Sequence, residues 1–160
     1  MAPELRLARP DELEAVRALI VSEGMPAMEL EERLTGFWVL DDDGKLVGCA
    51  GIELYGEAAV LRSVMVDPSL RGTREGERMI RRALHYAREG GARRCYLFTM
   101  TADAYFPRFG FERCELDDFE PAAREGWQWR SVFEHEPLRQ VLTPMRADLA
   151  APSWGPAARD

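Results

Sequence analysis

The sequence has few cysteines and no long run of apolar residues. Its three cysteines, Cys49, Cys95 and Cys114, form an odd set with no Cys-x-x-Cys spacing. This pattern argues against both a disulfide framework and a zinc site. Residues 1–20 carry four acidic side chains, which is typical of neither a secretory signal nor a membrane span. We therefore expect reduced thiols, no metal, no membrane partner and a soluble cytoplasmic protein.

Basic residues are outnumbered by acidic ones, and the net charge is -7. An acidic chain lacks the cations that neutralise phosphates in nonspecific nucleic-acid binding, so no nucleic-acid partner is expected. The exception is the stretch from Arg71 to Arg94, in which eight arginines accompany three glutamates. Such a local basic surface suits a small polyphosphate, although helical arginines are equally typical of a solvated face.

A length of 160 residues with 46% hydrophobic content fits one compact domain, which we place at residues 1–150 before a flexible tail at 151–160. A short first strand is expected at residues 5–7. The turn signal Asp41–Gly44 separates two apolar segments and predicts a β-hairpin of strands two and three, followed by strand four at residues 59–66. Helical spacing after residue 75 and a strand at 94–100 predict a parallel crossover. Farther along, we expect a strand at residues 111–116, a helix at 120–129 and an edge strand at 140–145. The pattern predicts an α/β fold with helices around a mixed, mostly antiparallel sheet.

The most informative segment runs from Val64 to Ile80, where a buried strand, a tight basic turn and an amphipathic helix follow one another. The first N–H groups of a helix have no intrahelical partner, and the helix dipole places partial positive charge there. A phosphate group is the natural ligand of such a helix start. Arg71 and Arg74 add positive charge, while Gly72 and Gly76 allow close approach of the backbone.

This turn resembles the acetyl-CoA pyrophosphate loop of the GNAT superfamily of N-acetyltransferases. The family pattern is Gln or Arg, two residues of any type, Gly, one residue of any type, then Gly or Ala. Arg71 and Gly76 match it, whereas Arg74 replaces the central Gly and Glu75 replaces an aliphatic residue. A second stretch, from Cys95 to Phe111, is similar to the family's fifth strand, fourth helix and the Gly-Phe opening its sixth strand.

The second stretch is similar in particular to the small amino-acid acetyltransferase branch, with acetylglutamate-synthase-like and arsenic-resistance-type members. The family resemblance implies the GNAT fold, with six or seven strands and a splay between the fourth and fifth. Acetyl-CoA is then the co-substrate, and its pantetheine arm lies in that splay. The implied cofactor contacts are Val64, Met65 and Val66 for pantetheine, Arg71, Gly72, Thr73, Arg74, Glu75 and Gly76 for pyrophosphate, and Thr101 and Phe106 beyond strand five.

Acyl transfer to an amine requires a base for the amine proton and an acid for the leaving thiolate. Many GNAT members place a Glu near the start of strand four, but Val60 stands there, so Glu53 or Glu57 would substitute. A carboxylate at Glu53, inside strand three, indicates either a functional cavity or a solvent-facing position. The usual acid is a Tyr at the position of Phe106. Tyr105, one residue away, is the candidate acid, and core packing is its alternative.

Arg62 lies inside an otherwise apolar strand and requires an anionic partner. Regular alternation places it on the same face as Val60, Val64 and Val66. Either a carboxylate of the acceptor or an internal ion pair with Glu53 satisfies it. Thr99, at the end of strand five, is a candidate for binding the acceptor or pantetheine, and an ordinary strand residue is its alternative.

These observations predict direct transfer of the acetyl group from acetyl-CoA to a primary amine of a small amino-acid-like molecule, in a ternary complex. The alternative is a GNAT-fold module that has lost catalysis and binds acyl-CoA or a protein partner. Four positions that depart from the family pattern motivate it: Val60, Arg74, Glu75 and Phe106. The aromatic segment at residues 127–135 suits an acceptor-binding loop, a homodimer contact or core packing.

Overall fold

The structure is a computed structural model that describes residues 2–150. Its seven strands are β1 (Glu4–Leu7), β2 (Phe37–Asp42), β3 (Lys45–Tyr55), β4 (Ala58–Val66), β5 (Arg94–Thr99), β6 (Glu112–Arg113) and β7 (Thr143–Asp148). Its α-helices are α1 (Leu13–Ser22), α2 (Leu30–Arg33), α3 (Glu75–Glu89), α4 (Trp127–Glu134) and α5 (Glu136–Val141). Short 3-10 helices include Pro68–Leu70 and Phe106–Phe109. The tail predicted at 151–160 lies outside the described residues.

The strands follow the order β1-β2-β3-β4-β5-β7-β6, with one parallel pair, β4 and β5. The predicted mixed, mostly antiparallel sheet with helices is therefore confirmed. Within the described residues the chain divides into two compact units, residues 2–53 with 61–86, and residues 54–60 with 87–150. That residues 1–150 form a single domain stays a prediction.

In the first unit, β1 and β3 both pair antiparallel with β2. Asp43 and Gly44 have φ of 54° and 94°, which is the left-handed geometry that a tight hairpin turn requires. The predicted β-hairpin is thus confirmed. Its core joins apolar residues of α1 and α2 to those of the strands, including Val16, Ile20, Leu30, Phe37 and Val39, all at most 1% exposed.

Arg6, Glu12 and Asp41 form a charged cluster at the edge of this unit. Arg6 of β1 donates hydrogen bonds to Glu12 at 2.7 Å and to Asp41 at 2.9 Å, and the backbone N–H of Arg9 donates to Glu12 at 2.7 Å. These donors lower the pKa of Glu12 to about 2, chiefly through the bond from Arg6. The cluster ties β1, β2 and the chain leading into α1 together.

The helical spacing predicted after residue 75 is confirmed by α3. The residues that recur at this spacing are all at most 1% exposed, namely Met79, Ile80, Ala83, Leu84 and Ala87. Two polar side chains of α3 also pack within the first unit. Arg82 places its guanidinium carbon 4.4 Å from the centre of the Trp38 ring, and Tyr86 meets the same ring edge-on.

In the second unit, β4 pairs with β5 in parallel through Ala58–Val60 and Arg94–Tyr96, and β5 pairs with β7 along its whole length. The separation of β4 from β5 beyond this register stays a prediction. Tyr96 is stacked on Phe119 at 4.3 Å between ring centres, and its hydroxyl donates to Glu120 at 3.0 Å. A stacked aromatic pair thus lies at the centre of this unit's core.

The later part of the chain differs from the sequence predictions. The helix expected at 120–129 is interrupted because Gly126 is extended, with φ of -71° and ψ of 149°, and caps α4. The strand expected at 140–145 begins only at Thr143, because Pro137 opens α5 and this helix continues to Val141. The strand expected at 111–116 is limited to Glu112–Arg113.

None of the helices in residues 2–150 combines the length and apolar character that a membrane span needs. Cys49 and Cys95 are buried, and Cys114 is half-buried. Burial raises the pKa of the Cys49 thiol to about 12, so this thiol stays protonated at neutral pH. That the thiols are reduced stays a prediction.

Candidate functional site

The chain between β4 and α3 forms the predicted basic turn. Asp67 follows β4, its backbone N–H donates to Val47 at 2.7 Å, and its carboxylate accepts from the Ser69 N–H at 2.9 Å. That hydrogen bond holds the pKa of Asp67 below its usual value. The Asp67 contacts fix the direction in which the chain leaves the sheet.

The turn then brings the backbone to the start of α3. Gly72 has φ of +83°, a left-handed conformation that glycine adopts without strain. Thr73 donates through Oγ1 to the Leu70 carbonyl at 2.5 Å and accepts from the Glu75 N–H at 3.3 Å. The Arg78 N–H forms a backbone bond to the Arg74 carbonyl, so the amides before it belong to the first turn of the helix.

Two arginines in this turn are exposed, Arg71 and Arg74. Neither side chain forms an ion pair or hydrogen bond with another residue in the described part of the chain. Their positive charges therefore belong to a helix start whose first-turn amides have no intrahelical partner. This combination is suited to a phosphate group.

Glu75 adds a negative charge to the same helix start. Its Oε2 accepts hydrogen bonds from Arg78, at 2.7 Å from Nη2 and 3.1 Å from Nε. Arg78 also donates to the Pro3 carbonyl at 2.9 Å, which fixes the position of the guanidinium. The negative charge of Glu75 is thus compensated within α3.

The stretch Val64–Val66 alternates as a strand does, since Met65 is buried in the core of the first unit and Val64 and Val66 are half-buried. Just before it, Ser63 has φ of 55°, in the left-handed region. A serine with this backbone in the middle of a strand marks strain. It also interrupts the regular alternation that placed Arg62 on the face of Val64 and Val66.

Glu53 and Arg62 form a buried ion pair. Arg62 Nη1 lies 2.9 Å from Glu53 Oε2, and the two side chains are 1% and 0% exposed. The solvent-facing alternative for Glu53 is therefore wrong, and the internal ion pair weighed for Arg62 is present. A buried pair of this kind is sensitive to loss of either partner, because the other charge is then left uncompensated.

Arg62 has further partners besides Glu53. Nη1 donates to the Met28 carbonyl at 2.6 Å and Nη2 to the Pro26 carbonyl at 3.1 Å, while Nε donates to Ser63 Oγ at 3.0 Å. The guanidinium also lies 5.6 Å from the centre of the Phe37 ring. The side chain thereby connects β3, β4 and the chain between α1 and α2.

The remaining predicted residues belong to the second unit. Thr99 is buried, and its Oγ1 accepts from the Ala102 N–H at 3.0 Å. Thr101 is exposed beside it. Glu57, the other candidate base, is 70% exposed and lies 3.9 Å from Arg93.

Tyr105 and Phe106 open a short 3-10 helix in the second unit. Tyr105 is half-buried, packs edge-on against Phe106 and Phe109, and carries the Arg108 guanidinium 4.2 Å from its ring centre. Phe106 is 7% exposed and also packs edge-on against Phe111. Its ring has no group that can give a proton.

The structure therefore brings Glu53 and Arg62 into contact, and their unit also holds the basic turn. Thr99, Thr101, Tyr105 and Phe106 belong to the other unit. Sequence reasoning missed two partners, Arg78 and Ser63. The spacing of three residues between Glu75 and Arg78 on a helix could have indicated the first, whereas no residue pattern predicts a left-handed serine.

Comparison with known proteins places the chain in a family. Residues 6–111 match the Acetyltransferase (GNAT) family, and the chain belongs to this family. It is 31% identical over 107 residues to an amino-acid acetyltransferase of Ralstonia nicotianae, and 30% identical over 123 residues to one of Mycobacterium tuberculosis. These matches cover 64% and 71% of the chain, but only 24% of the Ralstonia protein against 70% of the Mycobacterium protein.

The fold agrees with that of a solved structure, N-acetylglutamate synthase from Neisseria gonorrhoeae complexed with coenzyme A and N-acetyl-glutamate. The TM-score is 0.75 at 21% identity, and the match covers 92% of this chain and 35% of the synthase. At this identity the likeness shows the fold alone. The predicted GNAT membership and the resemblance to amino-acid acetyltransferases are confirmed.

Proposed function

We propose that this protein is an acetyl-CoA-dependent N-acetyltransferase that acts on a primary amine of a small, amino-acid-like acceptor. The observation that carries the proposal is the start of α3. There the first-turn amides and the exposed Arg71 and Arg74 favour a phosphate, and Arg78 compensates the charge of Glu75. The amino-acid acetyltransferases among the relatives support the acceptor class.

In this proposal the pyrophosphate of acetyl-CoA binds at residues 71–76 and the pantetheine arm lies along Val64–Val66. The half-buried side chains of Val64 and Val66 support this position, because an extended arm that pairs with a strand's backbone needs an accessible strand. Thr101 and Phe106 are proposed as further contacts of the cofactor, and Thr99 as a contact of the acceptor.

The reaction is a direct transfer. The neutral amine nitrogen attacks the acetyl carbonyl carbon, the carbon–sulfur bond breaks, and the sulfur leaves as a thiolate. The amine nitrogen loses one proton, and the thiolate gains one. We propose Glu53 for the first proton and Tyr105 for the second. Holding the amine and thioester together supplies a large part of the rate in such reactions.

A second candidate function rests on a specific observation. Glu53, the proposed base, is already held by Arg62, while Val60 and Phe106 stand where family members carry titratable groups. This arrangement favours a protein that binds acyl-CoA without transferring its acyl group. The two functions differ in turnover and agree in cofactor binding.

A turnover assay separates them. The purified protein is incubated with acetyl-CoA and, in parallel, with free amino acids, simple amines and lysine-containing peptides. Release of the CoA thiol and formation of the acetylated product are measured in the same reaction. A reaction without acceptor is the control. Thiol release that depends on a free amino acid supports the proposal. Thiol release that depends on a peptide would indicate protein substrates instead. Binding without release in any mixture supports the non-catalytic function.

A further inference from the structure

Arg62 makes a pair of contacts that its ion pair does not explain. It donates to the carbonyls of Pro26 and Met28, two residues apart. The intervening Ala27 and the preceding Met25 pack against the core, whereas the Met28 side chain is 55% exposed. The segment from Met25 to Met28 therefore has an apolar side against the core, with one guanidinium holding two of its carbonyls.

Backbone strain is found at both ends of this set of contacts. The described residues contain three non-glycine residues with positive φ, namely Glu29, Asp43 and Ser63. Asp43 belongs to the hairpin turn, where this geometry is expected. Glu29, with φ of 55°, follows Met28, and Ser63 accepts the Nε hydrogen bond of Arg62. Such strain persists where the surrounding structure fixes the backbone firmly.

The order of the chain relates this segment to the acetyl group. In the proposed function the pyrophosphate lies at residues 71–76 and the pantetheine arm at residues 64–66, so the arm runs back along β4. Its sulfur end is then directed toward Ser63 and Arg62. An acceptor that reaches the acetyl group must approach close to the segment that Arg62 holds.

We propose that Arg62 is a positioning residue, which, with its charge balanced by Glu53, fixes the segment Met25–Glu29 as a wall of the acceptor site. The exposed Met28 side chain then presents an apolar surface to the aliphatic part of the acceptor. This proposal rests on the proposed function and deepens it. Arg62 acts through the carbonyls of Pro26 and Met28. It does not bind the acceptor's carboxylate itself, which was the other role that the sequence allowed.

The test compares Arg62→Lys with the wild type on two matched acceptors, an amino acid and its carboxamide. A lysine keeps a positive charge near Glu53 but has no planar fork to reach both carbonyls. We expect the KM of both acceptors to rise by the same factor, about 10- to 100-fold, because a misplaced wall affects every acceptor. The Kd of acetyl-CoA should not change.

A matched control and a second variant distinguish the loss of acceptor positioning from a loss of folding. Arg17→Lys makes the same change at an exposed ion pair on α1 and should leave both KM values unchanged. The double variant Glu53→Leu/Arg62→Met removes both buried charges together, so neither is left unpaired. It should keep a cooperative thermal transition. Because Glu53 is also the proposed base, acceptor binding to this variant is measured as a Kd by calorimetric titration in the presence of CoA, and this Kd should be raised. Hydrogen exchange at residues 27–29 should be faster in both Arg62 variants than in the wild type.

Each contrary result has its own meaning. A KM increase for the acid but not for its carboxamide would show that Arg62 binds the carboxylate directly, and would overturn the proposal. Unchanged acceptor KM and Kd values in the folded variants would reduce Arg62 to a purely structural role. A wild type that binds acetyl-CoA but acetylates no amine would overturn the proposed function and the acceptor wall together. The exchange rates at residues 27–29 would then still report whether Arg62 holds the segment.

Discussion

Arg78 holds the carboxylate of Glu75 in the first turn of α3, with Nη2 and Nε 2.7 and 3.1 Å from the same oxygen. Both side chains are half-buried, with 24% of Arg78 and 17% of Glu75 exposed. The pair compensates the negative charge of an acidic residue in the turn that we propose as the phosphate site. Glu75 stands where the family usually carries an aliphatic residue, and Arg78, three residues later, compensates its charge.

Arg78→Ala should weaken acetyl-CoA binding, because the charge of Glu75 is then uncompensated beside the phosphates. One such charge in a partly solvated site corresponds to about 1 kcal/mol, or roughly fivefold in Kd. Calorimetric titration measures it. The double variant Glu75→Ala/Arg78→Ala should return to within about twofold of the wild type. A double variant as weak as the single one would mean that Arg78 contacts the cofactor itself.

Arg71→Glu should raise the Kd of acetyl-CoA by about tenfold or more, since it reverses a charge that lies beside the helix start. The Tm of the free protein should stay unchanged, because Arg71 is exposed and has no partner among the described residues. Arg93→Glu is the matched control, with the same charge change at a side chain that is 66% exposed. An equal loss of affinity in both variants would indicate a general effect of net charge instead of a phosphate contact.

Tyr105→Phe tests the proposed acid. The ring packs edge-on against Phe106 and Phe109, and Phe preserves that packing, so the Tm should not fall. If the hydroxyl protonates the thiolate, kcat should fall by about a hundredfold with little change in either KM. Steady-state kinetics with the best acceptor measures this. A variant with the wild-type kcat would leave Tyr105 a packing residue and the thiolate protonated by water.

The Arg6–Glu12–Asp41 cluster predicts a pH dependence of stability. The pKa of Glu12 is lowered from 4.5 to about 2, so the folded protein binds this proton less tightly than the unfolded chain does. The stabilisation is therefore complete above about pH 4.5 and is lost as the pH falls toward 2. Glu12→Gln should cost about 1 kcal/mol of unfolding free energy at pH 7. Urea unfolding at both pH values measures this, and a cost that persists at pH 2 would contradict the assignment.

Much of the first unit could be predicted from the sequence, because its signals are local. The Asp-Gly turn at residues 43–44 specifies the hairpin, and the apolar residues of α3 recur with the helical period. The buried arginine was predicted in the same way, since Arg62 interrupts an apolar strand. The partner of Arg62 could not be predicted, because a carboxylate on the neighbouring strand and a carboxylate on a bound acceptor would both balance its charge.

The later part of the chain was predicted less well for a physical reason. Its apolar residues, such as Leu138 and Val141, suit a helix or a strand equally, and they remain 37% and 49% exposed. Burial therefore does not decide between the two structures, and the first-turn proline of α5 does. At the site, the left-handed Ser63 carries no sequence signal because serine has no preference for that backbone region.

Calorimetric titration of the folded protein with acetyl-CoA, beside dephospho-CoA and ATP, decides whether this chain recognises the cofactor. These controls separate recognition of the whole cofactor from plain attraction of phosphates to the basic turn. We expect micromolar binding of acetyl-CoA that is clearly tighter than that of either control. Equal affinity for ATP, or no binding to a sample with a cooperative thermal transition, would contradict it.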